Sequence, residues 1–181
     1  MTLGELIALL RCDLRRLRDA PGASAGRFRR ALDVFNPRFG PVLLVRCSQW
    51  LYGSRWTRPF AMLFSLLNVV LFGLEYTPRC PIGPGLFLPH TSGTVIGAAR
   101  IGANVTIFQG VTLGAKTADL AFATDRRPTI GDNVVVGAGA KVLGGIHVGD
   151  GAVIAANSLV LEDVAPGETM IGVPATPRTK S

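Results

Sequence analysis

Aliphatic residues recur along this chain at two spacings, and the change from one to the other divides it. Over the first 75 residues the spacing is three or four. Leu3, Leu6, Leu10, Leu14 and Leu17 lay an apolar stripe along one helix face, and Thr2 and Glu5 stand at capping-box spacing ahead of it. Further helical patterns run over about 26–35, 41–53 and 58–74, with "DAPGASAG" and "NPRFGP" as punctuation. From Ile82 the period becomes six. Ile101-Gly102, Ile107 and Leu113-Gly114 form one block; Ile130-Gly131, Val136-Gly137, Val142, Val148-Gly149, Ile154-Ala155 and Val160 form a second. Neither a helix nor an alternating strand repeats at six, and this period predicts a parallel β-helix. Each repeat supplies a short strand whose aliphatic residue points inward. Glycine or Asn104, Asn133 and Asn157 turn the corners, and three flat faces close one coil. The blocks 82–114 and 129–164 predict about four coils. Between them, residues 115–128, "AKTADLAFATDRRP", break the period and are expected to loop out as a functional or interface element. The expected organisation is therefore mainly β: a short α-helical N-terminal region over 1–75, then a β-helix over 76–181 with an extruded loop.

Composition narrows the classes. With 181 residues the chain is sized for one main architecture, and 48% hydrophobic with 17% charged residues argues against disorder. Cys12, Cys47 and Cys80 show no metal-ligand spacing and read as reduced thiols. The formal charge of +7 is N-terminal: residues 1–60 hold eleven Arg against Glu5, Asp13, Asp19 and Asp33, whereas 61–181 balance. Such a surface is either simply solvated or attracts anions, including phospholipid. No nucleic-acid motif or interleaving of aromatics accompanies it, so nucleic acid is not an expected partner. "FAMLFSLLNVVLFGL", residues 60–74, is shorter than the roughly 20 residues of a spanning helix and is expected to be buried or interface-packed, with shallow membrane attachment as the alternative. No cleavable signal is expected over the first residues, since Arg11, Asp13, Arg15 and Arg16 interrupt any apolar core, and the expected location is cytoplasmic, with peripheral contact at the inner face of the membrane through the basic region.

Two histidines invite a comparison. His90 lies in "LPHTSG" just ahead of the repeats, while His147 in "GGIHVGDG" falls on an outward corner and reads as solvated. The stretches "PIGPGLFLPHTSGTVIGAARIGANVTIFQGVTLGA", "RRPTIGDNVVVGAGAKVLGGIHVGDGAVIAANSLV" and "GVPA", in this order, resemble the hexapeptide-repeat acyltransferases. More narrowly they resemble the serine O-acetyltransferase branch with its short exopolysaccharide and colanic-acid-type relatives. The resemblance covers about 40–181. It implies a left-handed β-helix, an exception to right-handed crossovers, a homotrimer, and acetyl-CoA bound between neighbouring prisms as co-substrate, without a metal. It further implies that His90 is the general base of a direct transfer, which explains the missing acyl-enzyme constellation. Gly110 or Gly114 would supply oxyanion-stabilising amides. Gly137, Ala138, Gly139, Ala140, Ala155, Ala156 and Asn157 would line the pantetheine groove, and Lys141, Arg178 or Lys180 would meet the CoA phosphates.

The chain departs from that branch at two places. Pro89 stands where serine acetyltransferases carry an Asp before the histidine, and Arg127 replaces the His of a "DRHP" segment, leaving Arg126 as the match to its carboxylate-binding arginine. Orientation of His90 would then fall to Thr91, Ser92 or a backbone carbonyl. The departures point to a sugar hydroxyl of a polysaccharide or lipid-linked glycan as acceptor, held by Arg126 and Arg127 with Thr91 and Ser92, under a lid formed by 115–128. L-serine is the alternative acceptor, and a non-catalytic β-helix scaffold the alternative class. A zinc hydratase on the same fold is excluded, because two histidines 57 positions apart cannot supply three ligands.

Overall fold

A computed structural model describes residues 1–20, 36, 38–119 and 121–178. The expected helix over 26–35 and Lys180 lie outside the described residues. Helix α1 spans Leu3–Arg18, and its capping box is formed: Thr2 accepts from the Glu5 amide while Glu5 accepts from the Thr2 amide. Helix α2 spans Gly40–Tyr52 and α3 spans Arg58–Phe72, both with proline in the first turn, where no amide partner is lost. Gly73 ends α3 in the left-handed region, at φ 63°.

The rest of the chain winds as a left-handed parallel β-helix. Its first face stacks β1 (Leu74–Tyr76), β2 (Thr94–Ile96), β5 (Thr112–Gly114), β8 (Lys141–Leu143) and β11 (Leu159–Val160). The second stacks β4 (Thr106–Ile107), β7 (Val135–Val136), β10 (Val153–Ile154) and β12 (Thr169–Gly172), closed by antiparallel β13 (Ala175–Pro177). The third holds β3 (Arg100–Ile101), β6 (Thr129–Ile130) and β9 (His147–Val148). Register puts one aliphatic column behind each face. Tyr76, Ile96, Leu113, Val142 and Val160 form the first, Ile107, Val136, Ile154 and Met170 the second, and Ile82, Ile101, Ile130, Val148 and Val164 the third. Strand stacking at about 4.8 Å turns this periodicity into one continuous dry core.

The first face has five strands, so winding begins at Leu74, before Ile82 and inside the segment read as helical. Tyr76, Ile82 and Leu88 do keep the six-residue step, but the prolines at 78, 81 and 84 replace the Ile/Val-Gly signature there. His147 lies on strand β9 rather than at a corner, exposed beside buried Val148. In α1 the apolar stripe is only partly inward. Leu6 and Leu17 are buried, Leu3 is exposed, and Asp13 takes a core position.

Asp13 explains how the helices sit on the first coil. Its carboxylate receives Arg46 of α2 in a two-pronged pair at 2.7 and 3.0 Å, and also accepts the Gly85 and Leu86 amides at 2.8 and 2.9 Å. The Arg46 guanidinium donates onward to the carbonyls of Ile82 and Gly83, both at 2.6 Å. Both side chains are fully buried. Tyr76 adds a tie from its hydroxyl to the Val45 carbonyl at 3.0 Å, and burial holds that phenol above its usual range.

Candidate active site

His90 occupies an irregularity in the repeat. At equivalent corners Ile107 to Leu113, Val136 to Val142 and Ile154 to Val160 are six residues apart, but Leu88 to Ile96 is eight. The two extra residues push Pro89–Ser92 outward against the end of α3. There Thr91 donates its hydroxyl to the Phe72 carbonyl at 2.8 Å, and the Gly93 amide donates to the Gly73 carbonyl at 3.0 Å. Between bulge and helix end lies a groove of about 750 Å³, lined among others by Arg38, Phe72, Leu88, His90, Ser92 and Gln109. The His90 ring is exposed and makes no hydrogen bond among the described residues. Thr91 therefore does not orient His90, nor is its hydroxyl free for an acceptor, because the helix terminus needs it for an otherwise unpaired carbonyl. Among the described residues no carboxylate lines the groove.

Arg38 and Gln109 were not singled out by sequence. Arg38 supplies the groove's positive charge, from a turn that hydrogen bonding to Asn36 shapes (Arg38 N to Asn36 Oδ1, 3.0 Å). Gln109 lies one coil beyond the bulge, since Gly110, its neighbour, pairs with Ser92 (3.0 Å). Its corner position in "QGVTLG" was the available signal.

The small residues assigned to cofactor binding do descend from this corner. The Gly110 amide donates to Ser92, Gly139 to Gln109 at 2.9 Å and Asn157 to Ala138 at 2.8 Å, so Ser92, Gly110, Gly139 and Asn157 form one ledge below His90. Their roles differ from the expectation in detail. The Gly110 amide is occupied by Ser92 and is not an available oxyanion donor. A Cβ on Gly139 would lie 2.1 Å from Asn157 Oδ1, at a backbone φ of 73°, so that glycine answers first to corner packing. Lys141 donates its ammonium to the Gly110 carbonyl and is thereby held away from a phosphate role. Gly114 lies at the far end of β5 with nothing within 4 Å of a built Cβ, and Arg178 follows β13, exposed.

The extruded loop brings Arg126 and Arg127 to a different corner. Arg127 is spent on the loop itself: it pairs with Asp119 at 3.1 Å, donates to the carbonyls of Gly97 and Asp119 at 2.9 and 2.8 Å, and stacks on Phe122 at 4.2 Å. Its assignment to acceptor binding is corrected on that ground. Burial raises the Asp119 carboxyl, but hydrogen bonds from the Ala123 amide and Arg127 outweigh it, and the net effect is a lowered pKa. Arg126 is exposed and lines a smaller cavity of about 290 Å³ with Lys116, Thr117, Asp125, Gly144 and Gly145. It does not reach the His90 groove of its own chain. The loop rests on Gly145, where a Cβ would come 1.9 Å from the Asp125 carbonyl oxygen. Gly145→Ala is therefore expected to lift the 124–126 turn and cost about 1–3 kcal/mol, read as a lower unfolding midpoint with faster proteolysis inside 115–128.

Cys80 is buried, and Cys12 and Cys47 are half-buried. Burial pushes the Cys80 thiol up to about 12 and also raises Cys47.

The winding and the His90 corner define a hexapeptide-repeat transferase, and residues 127–162 match the family model "Bacterial transferase hexapeptide (six repeats)". A Helicobacter pylori serine acetyltransferase is 48% identical over 121 residues, which is 66% of this chain and 69% of that protein. The Neisseria gonorrhoeae serine acetyltransferase solved in complex with serine superposes with a TM-score of 0.83 at 31% identity, over 98% of this chain and 70% of that one. A serine acetyltransferase solved in complex with CoA gives 0.84 at 31%, over 97% and 71%. This chain belongs to the serine acetyltransferase family, and it is an acyltransferase rather than a non-catalytic scaffold. The same relatives correct the expectation of a glycan acceptor and a polysaccharide pathway. The structure adds a reason: Arg127, half of the arginine pair offered to an acidic sugar, is consumed inside the loop.

Proposed function

We propose that the chain transfers the acetyl group of acetyl-CoA to the hydroxyl of L-serine, with His90 as general base. The observation that carries this reading is the His90 imidazole, unpartnered among the described residues, at the mouth of a groove and at the top of a ledge of small residues. Family membership supplies the substrates. Acetyl-CoA lies along the ledge of Gly137, Ala138, Gly139, Ala155, Ala156 and Asn157, with its thioester at the bulge; Ala140, expected beside them, is instead fully buried in the core of the coil. An imidazole nitrogen of His90 takes the proton of the serine hydroxyl as that oxygen attacks the thioester carbonyl. The tetrahedral intermediate collapses with cleavage of the carbon–sulfur bond, and the imidazolium returns its proton to the CoA thiolate. O-acetylserine and CoA are the products, and no acyl-enzyme forms.

Serine brings a carboxylate, and Arg38 is the cation among the described residues that line the groove. Arg126 can reach a serine only across an interface, since within one chain it lines a separate cavity. We accordingly propose a homotrimer in which Arg126 of a neighbouring protomer completes the site. Arg38→Ala is expected to raise the KM for serine about tenfold or more, leaving the KM for acetyl-CoA unchanged, in steady-state assays with each substrate varied in turn. Mass spectrometry of a reaction containing acetyl-CoA and L-serine tests the acceptor: O-acetylserine supports the reading, and its absence from a folded, CoA-binding protein removes it.

A further inference from the structure

Helix α3 is turned inside out for a helix in water. The side facing the protein carries Ala61, Ser65 and Asn68, all buried. Ser48 of α2 donates to the Ala61 carbonyl at 2.7 Å and meets the Ser65 hydroxyl at 3.2 Å, while Asn68 donates to the Pro41 carbonyl at 3.1 Å. Gly40 permits the same close approach, since a Cβ there would lie 2.8 Å from the Phe72 ring. The outward side carries Met62, Leu63, Leu66, Val69 and Val70, each between 44% and 70% exposed. No charged residue follows Arg58 within the helix. A helix on a water-facing surface places its apolar stripe inward. Helices held together through small and hydroxyl-bearing residues, with aliphatics outward, are built for lipid.

The ends of the pair agree. Trp50, Tyr52 and Trp56 gather around the α2–α3 turn, with Arg55 over the Trp56 ring at 4.8 Å and Arg58 over Tyr52 at 4.9 Å. Amphipathic aromatics beside arginines suit the headgroup level of a bilayer. Among the described residues no helix is long and apolar enough to cross a membrane, and the 15 residues of α3 reach only about 22 Å. Residues 40–73 contain no Asp or Glu. A second copy laid on this face would bring arginines without a countercharge, whereas an anionic bilayer supplies one.

We propose that the outward face of α3 docks onto an anionic phospholipid bilayer, lying at the boundary of headgroups and acyl chains with Trp56 and Arg58 at headgroup level. The inference is independent of the acceptor. Its test is flotation of the full chain with large unilamellar vesicles, either phosphatidylcholine alone or an equimolar mixture with phosphatidylglycerol. The expected result is flotation with the mixed vesicles, weakened about tenfold by Arg55→Gln/Arg58→Gln and lost in Leu66→Glu/Val70→Glu. Both tryptophans of the chain stand at this end, so brominated lipids should quench the wild-type fluorescence, a readout that needs no variant. Absence of flotation and quenching overturns the proposal. So does flotation that survives Leu66→Glu/Val70→Glu, or a change of oligomeric state by these variants in light scattering without vesicle binding by the wild type, which would assign the face to a second copy.

Discussion

His90→Ala is expected to lower kcat for acetyl transfer to serine about a hundred- to ten-thousandfold, while acetyl-CoA still binds and the circular dichroism spectrum is unchanged. The size follows from what the imidazole does. A serine hydroxyl is a poor nucleophile until its proton has somewhere to go, and among the described residues no carboxylate lines the groove to substitute. The side chain contributes little to the fold, being exposed and without a hydrogen bond among the described residues, so the loss should fall on turnover. Calorimetric titration with CoA separates the two effects. A variant that keeps its rate would remove His90 from the mechanism, whereas one that loses CoA binding as well would make it a binding residue.

The second large effect lies at the Asp13–Arg46 pair, away from the chemistry. Asp13→Ala leaves a fully buried guanidinium without its carboxylate and strips the Gly85 and Leu86 amides of their acceptor, with an expected cost of about 3–5 kcal/mol in urea unfolding. Arg46→Met strands the carboxylate and should cost a similar amount. Replacing the pair together by Leu and Met removes both buried charges, yet it should not restore full stability, because two amides and the carbonyls of Ile82 and Gly83 stay unpaired. Full recovery in the double variant would show that the pair acts as charge alone and not as a clamp between helices and coil.

The β-helix was legible because its cause is periodic: one aliphatic residue every six positions fills one column, and a slip would expose it. Helices α1, α2 and α3 were legible from their three-to-four spacing and prolines. Asp13 was not, since an acid inside an apolar stripe reads as an interruption until its partner 33 residues away is known. His90 was singled out through the family resemblance, but the shape of its corner was not legible. The bulge of Leu88–Ile96 shows only when corners are compared, and it is that bulge which sends Thr91 to α3 instead of the imidazole. Arg127 misled for a related reason. A basic pair in a loop looks like an anion site, whereas here one member, anchored to Asp119, Gly97 and Phe122, closes the loop on itself. The acceptor was misjudged from two positions, Pro89 and Arg127, because substitutions are visible in sequence, while Arg38, which lines the groove where Arg127 does not, is brought in by the fold.

Serine-dependent, His90-dependent transfer would show as release of free CoA thiol from acetyl-CoA by purified protein, measured with and without L-serine. Release that saturates with serine in the wild type and disappears in His90→Ala is the predicted result. A rate that ignores serine while CoA binding is intact would contradict it.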